Sequence, residues 1–416
     1  MKFGDYSISL EIKQNLERLG FKRPTDIQFK SIPPILKGED VLAIAQTGTG
    51  KTAAFAIPII SILQEMKHSV RYEEGLKCIV MVPTRELALQ ITEVFVKLST
   101  GTNVEALCLF GGVEQAPQIE KIEKGIDILI ATPGRMFDLI YQKHLKITKV
   151  EILVLDEADH MLDLGFIKDI QDVKKFLPKQ HQTLFFSATI NEQIKKVAYS
   201  LVSNPIRIQI SPKDPVAKNI THSVAFVEMD DKRFFLERVI NENPESKILV
   251  FVRTKVRAER VKAALQRVGI ESETIHGDKE QMDRLTVMNK FREGEVKILI
   301  ATDVSARGID IANVDYVVNY DLPDVPENYV HRVGRTGRGT QKGLAVSFCA
   351  TEEKPILAEI EGFMGKAIRV LELDKSEYAE TIDFSKDTTN FDIKALLLEA
   401  EKMEEKRKKG KKKKKK

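Results

Sequence analysis

The chain has 416 residues and a formal net charge of +4, with 43% hydrophobic and 30% charged residues. This composition is typical of a soluble protein with hydrophobic cores, and the length is sufficient for two globular domains. No apolar run approaches the ~20 residues that a membrane span requires, and residues 1–5 contain no apolar signal segment. We therefore expect a cytoplasmic protein without a membrane segment.

Short apolar runs alternate with helical patterns in the first half of the chain. The predicted strands are 41–45, 78–82, 104–110, 127–130, 152–155 and 183–186. The predicted helices between them include 52–64, 85–98 and 133–141. This alternation predicts a parallel sheet with helices on both faces. Two prolines within 211–215 interrupt the pattern and predict a linker.

The alternation resumes after the linker. The predicted strands are 247–252, 273–275, 296–300, 316–319 and 344–348, and the predicted helices are 257–268, 281–291 and 328–333. This pattern predicts a second α/β domain. We therefore divide the chain into a first domain (1–208), a linker (209–220), a second domain (221–372) and an extension (373–416).

The extension concentrates the positive charge of the chain. Residues 406–416 contain ten Lys and Arg and no acids, and subtracting these ten charges from +4 leaves −6 for the remainder. So dense a run of like charge predicts a disordered tail whose expected partner is a polyanion, nucleic acid first of all. A solubilising end without a specific partner is the alternative. Apolar residues at helical spacing predict a short amphipathic helix before the tail: Ile393, Leu396, Leu397, Ala400 and Met403.

A glycine-rich turn joins the strand 41–45 to the following helix. Its sequence is Ala45-Gln46-Thr47-Gly48-Thr49-Gly50-Lys51-Thr52. The general phosphate-loop pattern has Gly at the first position, where this chain has Ala45. The backbone N–H groups, the helix N-terminus and Lys51 would bind phosphates, and the Thr52 hydroxyl would ligate Mg²⁺.

Two adjacent carboxylates, Asp156 and Glu157, follow the strand 152–155 in the tetrapeptide Asp156-Glu157-Ala158-Asp159. One carboxylate can hold Mg²⁺ through the water shell of the ion, and the next can orient a water for attack on a phosphoryl group. An acid-enriched helix N-terminus is the alternative interpretation. The phosphate loop upstream favours the first interpretation, because the two features together provide the parts needed for nucleotide hydrolysis.

The second domain has no GKT-like loop and contains a basic motif at 331–338 instead. Its sequence is His331-Arg332-Val333-Gly334-Arg335-Thr336-Gly337-Arg338. A second domain that supplies arginines to a nucleotide held on the first would make hydrolysis depend on closure of the two domains.

With these motifs, the chain resembles the DEAD-box ATP-dependent RNA helicases of helicase superfamily 2. The resemblance extends from Phe3 to about residue 365 and is closest to compact bacterial members with a short basic extension. It implies an α/β fold of two RecA-like parallel-sheet domains in tandem, followed by a short helical and lysine-rich disordered tail. It also implies ATP and Mg²⁺ as cofactors, and RNA, single-stranded or in short duplexes, as the partner.

The resemblance implies an adenine site near the N-terminus. The family's glutamine motif matches 20–28, where Gln28 would pair with N6 and N7 of adenine. The family's isolated aromatic residue, seventeen positions before Gly20, matches Phe3, which would stack on the base. The other ATP-binding residues implied by motif matches are Phe21, Arg23, Thr25, Gln46, Thr47, Gly48, Thr49, Gly50, Lys51, Thr52, Gly308 and Asp310.

The resemblance also implies the catalytic residues. In the first domain these are Lys51, Asp156 and Glu157, of which Asp156 would bind Mg²⁺ together with Thr52. In the second domain, Arg335 and Arg338 match the family's arginine fingers. Residues that would couple the ATP site to the RNA site match Asp159, Ser187, Thr189, Asp303 and His331.

Motifs that match the family's RNA contacts follow strands in both domains. Loops at the C-terminal ends of parallel strands form the usual ligand crevice, and contacts there to phosphate and sugar carry little sequence information. The matching residues are Pro83, Thr84, Arg85, Gly111, Gly112, Thr132, Pro133, Gly134, Arg135, Arg253, Thr254, Gly277, Gln281, Arg284 and Thr302.

We therefore expect an RNA-stimulated ATPase that unwinds short RNA duplexes locally and non-processively, or remodels RNA–protein complexes. Two alternatives stay open: an ATP-dependent RNA clamp that acts as a scaffold, and a DNA translocase of the same superfamily. The adenine motif and the acidic tetrapeptide argue against the translocase. We expect a monomer, with ribosomal or mRNA-decay proteins as candidate protein partners.

Overall fold

The fold was obtained as a computed structural model that describes residues 2–45, 48–70, 72–210, 216, 219–303, 314–337 and 342–385. For Gln281 it describes the backbone alone. These residues form two bodies, each built around one parallel sheet, which we refer to as the first and second domains. No helix in this part of the chain is both long and apolar enough to cross a membrane.

The first domain has seven strands among the described residues. They are β1 Val41–Ala45, β2 Cys78–Met81, β3 Ala106–Leu109, β4 Ile128–Ala131, β5 Ile152–Leu155, β6 Gln182–Ser187 and β7 Ile206–Ile210. The helices are α1 Leu10–Arg18, α2 Asp26–Leu36, α3 Lys51–Lys67, α4 Arg85–Leu98, α5 Ala116–Glu123, α6 Pro133–Tyr141, α7 Ala158–Asp163, α8 Ile167–Phe176 and α9 Glu192–Leu201. All pairings are parallel, in the order β3-β4-β2-β5-β6-β1-β7.

The second domain also has seven described strands. They are β8 Ile220–Phe226, β9 Ile248–Phe251, β10 Glu273–Ile275, β11 Ile298–Ala301, β12 Tyr316–Asn319, β13 Gly343–Cys349 and β14 Arg369–Leu371. The described helices are α10 Lys232–Glu242, α11 Lys255–Arg267, α12 Gln281–Glu293, α13 Pro326–Val333, α14 Lys354–Met364 and α15 Lys375–Asp383. The strand order is β10-β11-β9-β12-β13-β8-β14. Counted from the first strand of each domain, both orders are 3-4-2-5-6-1-7, so the two domains share one topology.

Each sheet is covered on both faces, which explains its continuous apolar strands. In β1, Val41, Ala43 and Ala45 pack into the core on one face, whereas Leu42 and Ile44 pack into the core on the other. Successive side chains of a strand point to opposite faces, so a strand between two helical layers is apolar at every position. The prediction of two parallel-sheet α/β domains in tandem is confirmed.

The sequence analysis missed three strands, and with them the extent of both sheets. The strands β7 and β14 lie at sheet edges and expose most of their residues, and β8 contains polar residues, so none has a continuous apolar run. The strand β7 continues to Ile210, inside the predicted linker 209–220, and β8 begins at Ile220, the last residue of that linker. The sheets therefore extend slightly beyond the boundaries predicted at 208 and 221.

The predicted extension begins with a folded helix. The ring of Tyr378 on α15 lies 4.9 Å, centroid to centroid, from Phe235 on α10, and its hydroxyl donates to the Asp231 carboxylate at 2.7 Å. Residues 373–385 thus pack against the second domain. Residues 386–416, which include the predicted amphipathic helix and the lysine-rich tail, lie outside the described residues.

Candidate active site

Most of the predicted ATP-binding and RNA-binding residues of the first domain follow the C-terminal ends of neighbouring strands. The phosphate loop follows β1, the acidic tetrapeptide follows β5, and Ser187 ends β6; these three strands are adjacent, in the order β5-β6-β1. The predicted RNA contacts of the first domain follow β2, β3 and β4, which are also adjacent. The side of the first sheet where its strands end is thus divided into two neighbouring halves. We call the ends of β1, β5 and β6 the ATP half and the ends of β2, β3 and β4 the RNA half.

The phosphate loop closes against the glutamine motif. Gly50 precedes α3 with φ 90°, a left-handed conformation that suits glycine. A Cβ atom at this position would lie 2.5 Å from Nε2 of Gln28, so a larger residue would also collide with that amide. Ala45, which departs from the general loop pattern, is still the last residue of β1 and pairs with Ile210. The predicted ligands Gln46 and Thr47 lie outside the described residues.

Lys51 is the first residue of α3 and is only 6% exposed. Its ammonium group has no hydrogen bond partner among the residues that the structure describes. Burying a charge without a hydrogen bond partner is costly, so such a position favours an anionic ligand. The Lys51 site therefore fits the phosphates of a nucleotide.

Asp156 is buried at the end of β5, and its environment raises the pKa of its carboxyl group to about 6. Burial is the main cause, while the positive charge of Lys51 partly offsets it. The backbone N–H of Glu157 donates to Oδ1 of Asp156 at 3.0 Å. A cation bound next to this carboxylate would stabilise its ionised form.

Glu157 has a different environment and an unusual backbone. Its φ of 51° and ψ of 47° place it in the left-handed region, which is uncommon for a residue with a side chain. Burial acts to raise the pKa of its carboxyl group, but a hydrogen bond from His160 and the positive charges of His160, Lys51 and Arg335 outweigh burial and lower the pKa to about 2. The carboxylate is therefore ionised over the physiological pH range, as a residue that orients a water requires.

The sequence analysis did not identify His160. Its imidazole is 3% exposed, and Nδ1 lies 3.4 Å from Oε2 of Glu157. The spacing of three residues within one helical turn could have indicated this contact, but only if the helix was known to begin at residue 158.

The turn after β6 binds the last carboxylate of the tetrapeptide. Oδ2 of Asp159 accepts from the backbone N–H groups of Ala188 and Thr189 at 3.1 and 3.0 Å, and from the Thr189 hydroxyl at 3.2 Å. The Ser187 hydroxyl donates to the Thr189 carbonyl at 2.7 Å, and so supports the turn without contacting Asp159 itself. The structure thus joins the strands β5 and β6 at the place where coupling was predicted.

The predicted adenine site is built from aromatic rings and one amide. Phe3 is buried against Phe21 in an edge-to-face contact of 5.9 Å between ring centroids. Gln28 accepts from the Thr25 backbone N–H at 3.0 Å and donates to the Gly50 carbonyl at 3.1 Å. An amide has two donor hydrogens and two acceptor lone pairs, so Gln28 keeps one of each for a base. The hydrogen bonds to Thr25 and Gly50 fix the orientation of the Gln28 amide. Arg23, predicted to bind ATP with these residues, is exposed beside them.

The predicted RNA contacts of the two domains occupy equivalent strand ends. In the first domain they follow β2, β3 and β4, and in the second they follow β9 (Arg253 and Thr254), β10 (Gly277) and β11 (Thr302), the strands with the same places in the shared topology. Thr84 and Thr254 cap the helices that follow, each accepting through its side-chain oxygen from a backbone N–H three residues later.

Three arginines lie close together at the RNA half: Arg85 and Arg135 from the first domain and Arg284 from the second. Burial, together with the positive charges of Arg284 and Arg135, lowers the pKa of Arg85, although Glu86 opposes this effect. Gly112 has a φ of 79°, a left-handed conformation that suits glycine, and a Cβ atom there would displace the Arg85 guanidinium. The positive charges of these three arginines would favour a polyanion at this place.

Arg253 forms its ion pairs with carboxylates of its own domain. Its guanidinium lies 3.2 Å from the carboxylates of Glu353 and Asp324 and donates to the Leu322 carbonyl at 3.2 Å. The backbone N–H of Arg253 also donates to the Asp321 carboxylate at 3.0 Å, so this residue is held firmly within the second domain.

An ion pair crosses between the domains. A guanidinium nitrogen of Arg284 on α12 lies 2.7 Å from the carboxylate of Glu86 on α4, and both side chains are largely buried. Arg335 in the second domain is close enough for its charge to affect the pKa of Glu157 in the first. The two domains therefore face each other across a closed cleft.

The arginine motif is held by a residue of the same domain. Arg332 on α13 is buried and forms two hydrogen bonds to the Asp303 carboxylate. Arg332 also donates to the Asp321 carbonyl at 2.7 Å. Arg335 donates to the His331 carbonyl at 3.2 Å. The predicted ligands Gly308, Asp310 and Arg338 lie outside the described residues.

Known families and structures match both domains. Residues 25–197 match the DEAD/DEAH box helicase family, and residues 231–340 match the helicase conserved C-terminal domain. The chain is 40% identical over 371 residues to the ATP-dependent RNA helicase CshA of Listeria monocytogenes, a match that covers 89% of this chain and 70% of that protein.

Two solved structures show how the domains lie relative to each other. The Dbp5 protein of S. cerevisiae bound to RNA and ADP BeF3 is similar with a TM-score of 0.81 at 30% identity, over 92% of this chain and 98% of that one. A DEAD box protein from the hyperthermophile Methanococcus jannaschii has a TM-score of 0.52 at 36% identity, over 89% and 99%. The less identical of these two proteins superposes better on this chain as a whole.

These matches confirm the predicted pair of RecA-like domains and account for the phosphate loop, the acidic tetrapeptide and the basic motif in one chain. The protein belongs to the DEAD-box family of ATP-dependent RNA helicases.

Proposed function

We propose that this enzyme uses ATP hydrolysis to separate short RNA duplexes locally, without moving along the strand. The observation that carries this proposal is the cleft itself. The Glu86–Arg284 ion pair and the influence of Arg335 on Glu157 indicate that the second domain approaches the RNA half and the ATP half of the same sheet edge together. The same movement of the second domain would then close the cleft over both RNA and ATP.

In the ATP half, Phe3 and Gln28 would bind adenine, and Lys51 would bind the phosphates. Glu157 would orient the attacking water, and Arg335 and Arg338 would stabilise the charge of the transition state. Phosphoryl transfer needs little covalent help from the protein, so positioning and charge stabilisation carry the rate.

We propose Mg²⁺ as the metal of this site. The donor set fits the ion, because the Thr52 hydroxyl lies in the first turn of α3 and the buried Asp156 carboxylate needs a positive partner. Two oxygen ligands from the protein suit Mg²⁺, because this ion keeps several of its coordinated waters. When bound, Mg²⁺ would neutralise charge on the phosphates.

In the RNA half, the arginines and the helix N-termini would bind the backbone of one strand. Contacts of this kind read the shape, the phosphates and the 2′-hydroxyls of RNA and carry little base sequence information. A strand that is bent by closure cannot stay in an A-form duplex, so its partner is released from a short helix. The contact between Asp159 and Thr189 supports a route by which the state of the ATP half reaches the RNA half.

The proposal is tested by strand separation and ATP hydrolysis measured together. We expect hydrolysis to be stimulated by RNA and not by DNA of the same sequence. We also expect separation of a short duplex and almost none of a duplex three times as long. Equal stimulation by DNA would contradict the RNA specificity, and equal separation of both duplexes would contradict the local mechanism.

A second experiment separates the helicase from a scaffold. With a non-hydrolysable ATP analogue, we expect the enzyme to stay on single-stranded RNA, and to leave the RNA when ATP is supplied instead. A complex that persists equally with ATP would indicate an RNA clamp. We also propose that the enzyme acts as a monomer in the cytoplasm, with ribosomal or mRNA-decay proteins as partners. Light scattering and crosslinking in cells test these points, and a stable dimer in solution would contradict the first.

A further inference from the structure

Glu157 must present its carboxylate in one orientation, yet its own backbone does not fix the side chain. The residue is in the left-handed region at the junction between β5 and α7, and three side-chain torsions separate its carboxylate from the backbone. A water is oriented for attack only when the group that binds it is itself held to within a fraction of an ångström. A neighbouring hydrogen bond donor is the simplest way to hold it.

His160 is such a donor. It lies three residues after Glu157 in the first turn of α7, so both side chains project from the same side of the helix start. Nδ1 lies 3.4 Å from Oε2 of Glu157, which is a long hydrogen bond. Hydrogen bonds to catalytic groups often tighten when the substrate binds.

The other ring nitrogen argues against a role in packing alone. Nε2 is buried and has no hydrogen bond partner among the residues that the structure describes. Leaving a buried polar atom without a hydrogen bond partner destabilises the folded protein. An apolar side chain, such as the neighbouring Met161, would fill the same volume without this cost. The contact of the imidazole with Glu157 is a polar interaction that an apolar side chain could not make.

We propose that His160 is a positioning residue for catalysis: its Nδ1–H donates to Oε2 of Glu157 and leaves Oε1 free to accept from the attacking water. The inference rests on the proposed role of Glu157 in hydrolysis, and adds to it the residue that orients the carboxylate.

Two substitutions separate hydrogen bonding from packing. His160→Asn keeps a donor, because Nδ2 of asparagine and Nδ1 of histidine are both bonded to Cγ. His160→Leu keeps most of the volume and removes the donor. We expect the RNA-stimulated kcat of His160→Leu to fall on the order of 10- to 100-fold, since a small misplacement of a catalytic group can cost about 100-fold. KM for ATP should change less than about twofold, because uniform binding is not affected.

We expect His160→Asn to recover most of the lost kcat. His181→Leu is a matched control in the same domain, since Nδ1 of His181 lies 2.7 Å from the Pro178 carbonyl, away from Glu157. This control should leave kcat unchanged. If His160→Leu does not fold, as judged by its melting curve, His160→Met is the second donor-free variant, because its unbranched side chain adapts to irregular spaces.

The outcomes are distinct. A wild-type kcat in the donor-free variant, or an equally low kcat in His160→Leu and His160→Asn, would overturn the positioning role while Glu157→Gln still abolished turnover. If Glu157→Gln retained turnover, the proposed role of Glu157 would fail, and the role of His160 with it. Recovery by asparagine alone supports the inference.

Discussion

The carboxylate of Glu86 in the first domain lies 2.7 Å from the guanidinium of Arg284 in the second. Glu86 is the residue after Arg85, at the start of α4, and Arg284 is in the first turn of α12. Each of these helices begins near a predicted RNA contact. The ion pair therefore joins the two domains across the cleft, and it does so beside the RNA half.

Breaking this pair should weaken closure. We predict that Glu86→Gln lowers RNA-stimulated ATP hydrolysis on the order of tenfold, because the buried Arg284 then loses its charged partner, while basal hydrolysis without RNA stays nearly unchanged. Arg284→Glu should have a larger effect, since it also removes a positive charge from the RNA half. Steady-state hydrolysis with and without RNA measures both effects.

The double charge exchange Glu86→Arg with Arg284→Glu is the control for this prediction. It restores an ion pair and keeps the number of positive charges in the RNA half. We expect it to recover part of the stimulation that Arg284→Glu loses. If the double variant were no better than Arg284→Glu, the pair would have no role in closure.

Glu157→Gln should abolish turnover and leave ATP and RNA binding nearly intact. The amide keeps the shape of the side chain but loses the negative charge that orients the water. Single-turnover hydrolysis and the affinity for a fluorescent ATP analogue and for RNA measure the two parts. Glu192→Gln, at an exposed position on α9, is the matched control and should behave as the natural protein. Normal turnover in Glu157→Gln would rule out this role.

The enzyme should hydrolyse ATP in strong preference to GTP. Gln28 keeps one donor and one acceptor for a base, which matches adenine, whereas guanine presents two acceptors at the corresponding edge. Gln28→Ala should raise KM for ATP and reduce the preference. Because Gln28 also donates to the Gly50 carbonyl, its removal loosens the phosphate loop for both nucleotides. The ratio of kcat/KM for ATP and GTP is thus the decisive measurement, and equal values in the natural enzyme would exclude the site.

Asp156→Asn should stabilise the ligand-free protein at neutral pH although it abolishes hydrolysis. Folding raises the pKa of the Asp156 carboxyl from 3.8 to about 6, mainly through burial. Between these values the unfolded chain is ionised while the folded chain keeps the proton, so the free energy of unfolding falls as pH rises through this window. Above the folded pKa the full cost is on the order of 3 kcal/mol, at about 1.4 kcal/mol per pKa unit.

Asparagine cannot ionise, so this variant avoids that cost. Urea unfolding at neutral pH and at a pH below 3.8, without metal or nucleotide, measures the difference. We expect a gain in stability at neutral pH that disappears in acid. Asp138→Asn, at an exposed position on α6, should give no gain at either pH. A gain for Asp156→Asn that did not depend on pH would contradict the proposed cause.

Deleting residues 406–416 should weaken RNA binding and unwinding and leave basal ATP hydrolysis unchanged. The ten cations of this tail stand beside a remainder of net charge −6, and each phosphate that they neutralise adds about 0.7 to the slope of log affinity against log salt for a single strand. RNA affinity at several salt concentrations compares the full chain with one that ends at Glu405. Identical slopes would mean that the tail is a solubilising end. Sequence preference should not change, because lysines contact phosphates and not base edges.

The sequence by itself determined the class of fold, since a buried parallel strand is apolar on both faces and this signal is local. It also predicted which residues would carry the chemistry, because the phosphate loop and the acidic tetrapeptide are continuous in the chain. It missed β7 and β14, because an edge strand is half exposed and its apolar signal is weak. It could not show that both domains share one strand order, since pairing between strands is not written in their local sequence.

Only the tertiary structure decided which side chains meet. The pairing of Glu86 with Arg284 joins residues almost two hundred positions apart, and depends on how two domains face each other. The ion pair of Arg253 with Glu353 depends on the second domain bringing the ends of distant segments together. The contact of His160 with Glu157 is local in sequence, yet it depends on the helix α7 beginning at Ala158, which places His160 in the turn that follows Glu157. Contacts of this kind follow from the path of the chain in space, which no single motif contains.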